Sequence, residues 1–216
     1  MVQGRLFGNQ DDDTAALPFA DLAGARAAAL GCVRCDLSQT RRQVVFGEGP
    51  SRARLLVLGE GPSESDDRSG HPFSGPSGPM LDSWLIRLAL RRDDVWVTNV
   101  VRCRPAAPVG GRLKNRPPTP REAAACRLWL DTEIALVRPA VILALGGTAA
   151  QALLGKGFKI SQERGRWHAG PHGAAVMATF HPAYLLRLED EALTRAEAVV
   201  NADLDAVRAR LDAHPS

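Results

Sequence analysis

The chain has 216 residues, 45% of them apolar and 24% charged. That is ordinary globular composition, enough for one sizeable core and too short for two ordinary domains. No apolar run is long enough for a membrane span. The net charge of +3 conceals an asymmetry: residues 1–22 carry −3, residues 189–216 carry −4, and the segment between them carries +10, most of it arginine. A basic middle between acidic ends suits a polyanion such as nucleic acid.

In chain order, residues 1–20 contain an acidic cluster and no apolar core. They read as a poorly ordered tail and not as a secretory leader, so a cytoplasmic, monomeric protein is expected, with residues 21–216 forming a single domain. Asp21 and Gly31 suit the two ends of a short helix over 21–31. RLLVLG, 54–59, is a buried strand, followed by a loop from Gly59 to Gly78 rich in Gly, Pro, Ser and Asp. The spacing predicts a helix over 79–90, with Pro79 in its first turn, then a strand over 94–101. Residues 104–120 form a Pro- and Arg-rich loop, and 120–139 a helix stopped by Pro139. AVILALG, 140–146, is a third strand, with a short helix in GTAAQALLG. Residues 167–180 read as a turn feeding a fourth strand, HPAYLLR follows at once, and a long helix covers 191–213. No internal repeat is visible. This alternation predicts a three-layer α/β/α sandwich around a short, mostly parallel sheet of about four strands. In such sheets the chemistry lies at the carboxyl ends of the strands.

Those ends carry GEGPSESDD, Asn99, GGTAA and His181. Separately, the four cysteines read C-x2-C at Cys32 and Cys35, then Cys103, then Cys126. Four thiolates can bind zinc or a four-iron cluster, and spacing does not decide between them; four unrelated buried thiols are the plainer alternative.

The segments CVRCDLSQTRRQVVFGEG, GEGPSESDDRSGHPFSGPSGPMLD, VTNVVRCRP and HPAYLLR together resemble the family 4 uracil-DNA glycosylases, over about residues 30–210. The resemblance implies the sandwich fold, a [4Fe-4S] cluster on Cys32, Cys35, Cys103 and Cys126 with zinc as the alternative, and hydrolytic excision of uracil from DNA. It assigns His181 a hydrogen bond to uracil O2 and puts the backbone at Glu60 and Gly61 against the base. Asn99 has the donors and acceptor to read uracil N3–H and O4, and Phe73 can stack on the flipped base. Glu60 and Asp66 are both candidates to position water. Ser74, Gly75, Ser77 and Gly78 suit a phosphate cradle ahead of a helix. Leu185 and Leu186 resemble the family's wedge, and Arg187 suits a phosphate contact. Ser63 stands where the motif has glycine, and serine is less free at positive φ. Loop 104–119 carries Arg112, Lys114 and Arg116 and lacks the histidine-bearing insert of related enzymes that trap uracil DNA. No lysine lies in these motifs, so strand cleavage through a Schiff base is not expected. A zinc- or cluster-bearing nucleic-acid-binding module without catalysis is the alternative. A nucleotide-binding enzyme is disfavoured by the lack of a phosphate-loop motif.

Overall fold

The computed structural model describes residues 18–213. The predicted tail, residues 1–20, therefore lies almost wholly outside the described residues. The central sheet has strands β1 (Leu55–Gly59), β2 (Trp96–Asn99), β5 (Val141–Leu145), β6 (Trp167–Ala169) and β7 (Ala175–Thr179) in the order β2-β1-β5-β7-β6. All neighbours are parallel except β6 and β7. The sheet thus has five strands where the sequence predicts about four. The extra one, β6, is three residues long and half exposed, and a Gly170–Pro171 turn folds it back on β7. Its brevity and exposure hide it from an apolar-run reading.

Every residue of β1, β5 and β7 is buried. Because side chains alternate across a strand, the two sheet faces feed separate cores. Leu56, Leu58, Ile142, Ala144, Val176 and Ala178 pack beneath α1 (Leu22–Leu30), α4 (Pro120–Val137) and α5 (Gly147–Leu154). Leu55, Val57, Val141, Leu143 and Met177 pack beneath α3 (Ser77–Arg87), α7 (Pro182–Leu185) and α8 (Asp190–Ala213). Two short helices, α2 (Glu64–Ser69) and α6 (Ile160–Glu163), complete the set. The three-layer sandwich is as the alternation predicts.

Local chemistry explains the ends of these elements. Asp21 caps α1 by accepting from Gly24 N at 2.7 Å. Thr119 and Glu122 form a capping box at α4, with Pro120 in its first turn. Helix α3 begins at Ser77, two residues earlier than predicted, so Ser77 and Gly78 belong to its first turn and not to the loop before it. The loop 104–120 also holds an unpredicted hairpin, β3 (Ala106–Val109) with β4 (Arg112–Asn115). Its two-residue turn is Gly110–Gly111, both at positive φ, the turn chemistry that suits the twist of paired strands.

From β1 the chain moves to β2 on one side, and later to β5 on the other. Such a switch point leaves a crevice at the carboxyl ends of the strands, here at Gly59.

Candidate active site and cysteine pocket

Gly59 and Asn99 are register partners at the ends of β1 and β2. A Cβ on Gly59 would lie 2.3 Å from Asn99 Oδ1 and 2.7 Å from Phe73 Cζ. Only glycine lets the strand end, the amide and the ring meet there. Asn99 is 3% exposed, and its Nδ2 has no hydrogen-bond partner. An orphaned buried donor costs roughly 1–3 kcal/mol, so this one calls for a ligand acceptor.

The Phe73 ring stacks on the His181 imidazole, with centroids 5.8 Å apart and planes at 22°. Phe73 sits at φ 55, an uncommon backbone state for an aromatic residue. Arg92 holds that turn. Its guanidinium donates to the carbonyls of Pro72 and Phe73, both at 3.1 Å, while Asp82 fixes it at 2.6 Å.

His181 caps α7, its Nδ1 accepting from Ala183 N at 3.0 Å. With Nδ1 used as an acceptor, the neutral ring carries its proton on Nε2. Burial, helped by the nearby Arg187 charge and opposed by Asp66, lowers the imidazole pKa from 6.5 to about 4. The ring is therefore a neutral Nε2–H donor at physiological pH.

Asp66 is buried and committed. It accepts from Ser63 N at 2.9 Å and from Ser74 N and Oγ at 2.7 and 2.9 Å. Ser63 returns a capping bond to Asp66 N and sits at φ −76, so the turn needs no glycine there. Glu60 uses Oε2 to accept from Thr148 Oγ1. Gly61 packs its backbone against Val101 and Pro105. In α7, Leu185 is 1% exposed and lies in the core, whereas Leu186 is 49% exposed. Of the two leucines, only Leu186, followed by exposed Arg187, faces solvent. Of the expected phosphate cradle, Ser74 is exposed and Ser77 is half-buried in the helix. Sequence reasoning misses Arg92, which no motif marks, and gives Thr148 of GGTAA no role; each acts only through a partner distant in the chain.

The four cysteines gather in one pocket beneath α1 and α4, lined also by Arg34, Arg41, Arg102 and Trp129. Three N–H groups point at sulfur: Trp129 Nε1 at Cys32 (3.3 Å), Arg41 Nη1 at Cys103 (3.4 Å) and Arg102 N at Cys126 (3.3 Å). Burial raises the bare Cys103 thiol to about 11 and pushes Cys126 up as well. Among the described residues, no three Cys, His, Asp or Glu side chains converge as a single metal ion would require. Arg102 is itself fully buried. It pairs with Glu133 at 2.9 Å and donates to the Asn99 carbonyl, linking this pocket to the end of β2.

A family model described as the uracil DNA glycosylase superfamily matches residues 46–205. A type-4 uracil-DNA glycosylase of Thermotoga maritima is 40% identical over 165 residues, covering 76% of this chain and 82% of the relative. One from Pyrobaculum aerophilum is 34% identical, covering 72% of this chain and 80% of the relative. A type-5 uracil-DNA glycosylase of Thermus thermophilus is 33% identical over 63% of this chain and 68% of its own length.

Proposed function

The chain belongs to the uracil DNA glycosylase superfamily, and on that premise we propose that it extrudes uracil from DNA and hydrolyses its N-glycosidic bond, leaving an abasic site. The observation that carries this reading is the orphaned Asn99 Nδ2, buried beside the stacked Phe73 and His181 at the carboxyl edge of the sheet. A base in a duplex must leave the stack before its glycosidic bond can be reached. Phe73 stacks on the extruded ring. Asn99 donates from Nδ2 to uracil O4 and accepts from N3–H. As the bond breaks, its electron pair passes to uracil N1 and spreads toward O2, where the His181 Nε2–H donates. Water adds to the sugar carbon and loses its proton to a carboxylate or to solvent. Glu60 keeps one oxygen free of Thr148, and it orients that water. Asp66 holds the loop through Ser63 and Ser74 and sets its negative charge near the sugar cation. Leu186 fills the gap left in the stack. Arg187, Ser74 and Ser77 contact phosphates.

Cys32, Cys35, Cys103 and Cys126 would hold a [4Fe-4S] cluster. Four thiols lining one pocket supply the four thiolates that a [4Fe-4S] cluster takes, with zinc as the alternative occupant. Arg34, Arg41 and Arg102 offset its negative charge, and the N–H···S contacts suit thiolate acceptors. Bound there, the cluster would supply a cross-link among three chain segments.

The test is incubation with a uracil-containing oligonucleotide followed by alkali. Breaks at uracil only after alkali are expected. No abasic product at excess protein overturns the reading, and breaks before alkali would mark a lyase instead.

The neutral His181 sets the pH response. The excision rate at saturating DNA should stay flat from about pH 8 to 6, with no inflection near 6.5. The folded pKa lies below the unfolded value. Its contribution to stability is therefore complete above about 6.5 and is lost as pH falls toward 4. A fall in rate between pH 7 and 6 that disappears in His181→Asn would show that the ring titrates in its working state.

The two leucines separate cleanly. Leu185→Ala should cost roughly 2–5 kcal/mol of stability by opening a core cavity. Leu186→Ala should leave the unfolding midpoint in place. It should slow excision from duplex about tenfold or more, since unstacking a base costs a few kcal/mol. Equal effects of the two on duplex excision at constant stability would remove Leu186 from the wedge role.

A further inference from the structure

We propose that the β3–β4 hairpin is a second DNA-gripping arm, in which Arg112 and Lys114 bind backbone phosphates beside the extruded base; this rests on the glycosylase reading above. Residues 108–115 are all exposed, and a two-stranded hairpin is marginal when nothing covers it. Core packing therefore does not account for its presence. Arg112 and Lys114 stand two apart on β4, so they share one face, opposite Val109 and Ala107 across the pair. They lie roughly 6.7 Å apart along the strand, far enough for each to meet its own phosphate. Neither cation has an ion-pair partner among the described residues.

The hairpin is nevertheless held firmly. Arg104, 8% exposed, donates from Nε to Asn115 Oδ1 at 2.7 Å and from Nη2 to the Leu113 carbonyl at 3.1 Å. The same Nη2 meets Glu64 at 3.2 Å, tying the arm to α2 in the loop that carries Asp66. Arg116 closes the base of the hairpin, donating its N–H to the Pro105 carbonyl at 3.0 Å and pairing with Glu122 at 2.6 Å. Two anchored arginines thus fix the backbone that carries the exposed pair of cations. An arm held in place in advance loses less freedom on binding than a mobile loop.

The placement fits a duplex. The hairpin follows the carboxyl end of β2, and Leu186 and Arg187 follow the carboxyl end of β7, three strands away on the same edge. The arm and the wedge helix would bracket the site from two sides.

The experiment measures affinity for an undamaged duplex as a function of salt, by fluorescence anisotropy. Three proteins are compared: the native chain, the double variant Arg112→Gln/Lys114→Gln, and the charge-keeping double variant Arg112→Lys/Lys114→Arg. Removing two phosphate contacts should flatten the slope of log K against log salt by about 1.8. The charge-keeping pair should retain the native slope, and all three should unfold at the same midpoint. A native slope in the Gln pair overturns the proposal. So does an equal loss in the charge-keeping pair, which would assign the effect to shape. Excision of uracil is read in parallel on the same preparations. A flattened slope in the Gln pair alongside a native chain that does not excise uracil would sink the enzymatic reading and leave the arm standing.

Discussion

Replacing Asn99 with aspartate should remove most uracil excision and open a weak excision of cytosine. Uracil presents a donor at N3 and an acceptor at O4. Asn99 meets that pair with an amide whose Nδ2 is buried without a partner. A carboxyl in its place turns an acceptor toward O4. At 3% exposure there is little solvent to relieve the mismatch. Such a mismatch costs roughly 1–3 kcal/mol or more, about 10- to 100-fold in rate. Cytosine carries an amino donor where uracil carries O4, and an acceptor at N3. The carboxyl oxygen accepts from that amino group, and the protonated form donates to N3. Asn99→Ala should lose uracil excision to a similar degree with no gain on cytosine. The two variants are to be assayed side by side, under single-turnover conditions, on matched oligonucleotides differing only in the target base. Near-native uracil excision by both would show that Asn99 does not read the base. A gain on cytosine in the alanine variant would mean that selection is steric.

Changing any one of Cys32, Cys35, Cys103 or Cys126 to alanine should lower iron and sulfide below about four of each per chain and bleach the visible absorption. It should also destabilise the fold. Cys32 and Cys35 lie beyond the end of α1, Cys103 follows β2, and Cys126 lies within α4, so a shared cofactor closes loops of 67 and 22 intervening residues between successive segments. Cross-links over loops of this size contribute roughly 3–4 kcal/mol. For a chain this long that corresponds to about 10 °C in unfolding midpoint. The loss should be greatest for Cys103 and Cys126, which are buried and also accept N–H groups from Arg41 and Arg102. A single variant that keeps full iron and sulfide is not missing a ligand. Stoichiometric zinc without sulfide in the native protein would replace the cluster with a single-ion site.

Much of this was legible in the sequence, for a local reason. The apolar runs at 54–59 and 140–146 are strands buried on both faces because a parallel sheet covered by helices leaves no polar alternation to disguise them. The Asp21 cap of α1 and the Gly-, Pro- and Ser-rich stretch after β1 likewise act within a few residues of themselves. The motifs at the strand ends and the four cysteines could be named because residue type carries their chemistry. Tertiary structure alone decided the rest. Leu185 and Leu186 are neighbours in sequence, yet docking of α7 against α3 and α8 buries one and exposes the other. The proton on His181 Nε2 follows from a bond to Ala183 N and from burial supplied by distant segments. The strain at Phe73 is held by Arg92, and the convergence of Gly59, Phe73 and Asn99 requires β1 and β2 to be register partners. Periodicity records which face of an element is buried. It holds no record of which remote group meets it there, and the donors and acceptors of this site are set by those meetings.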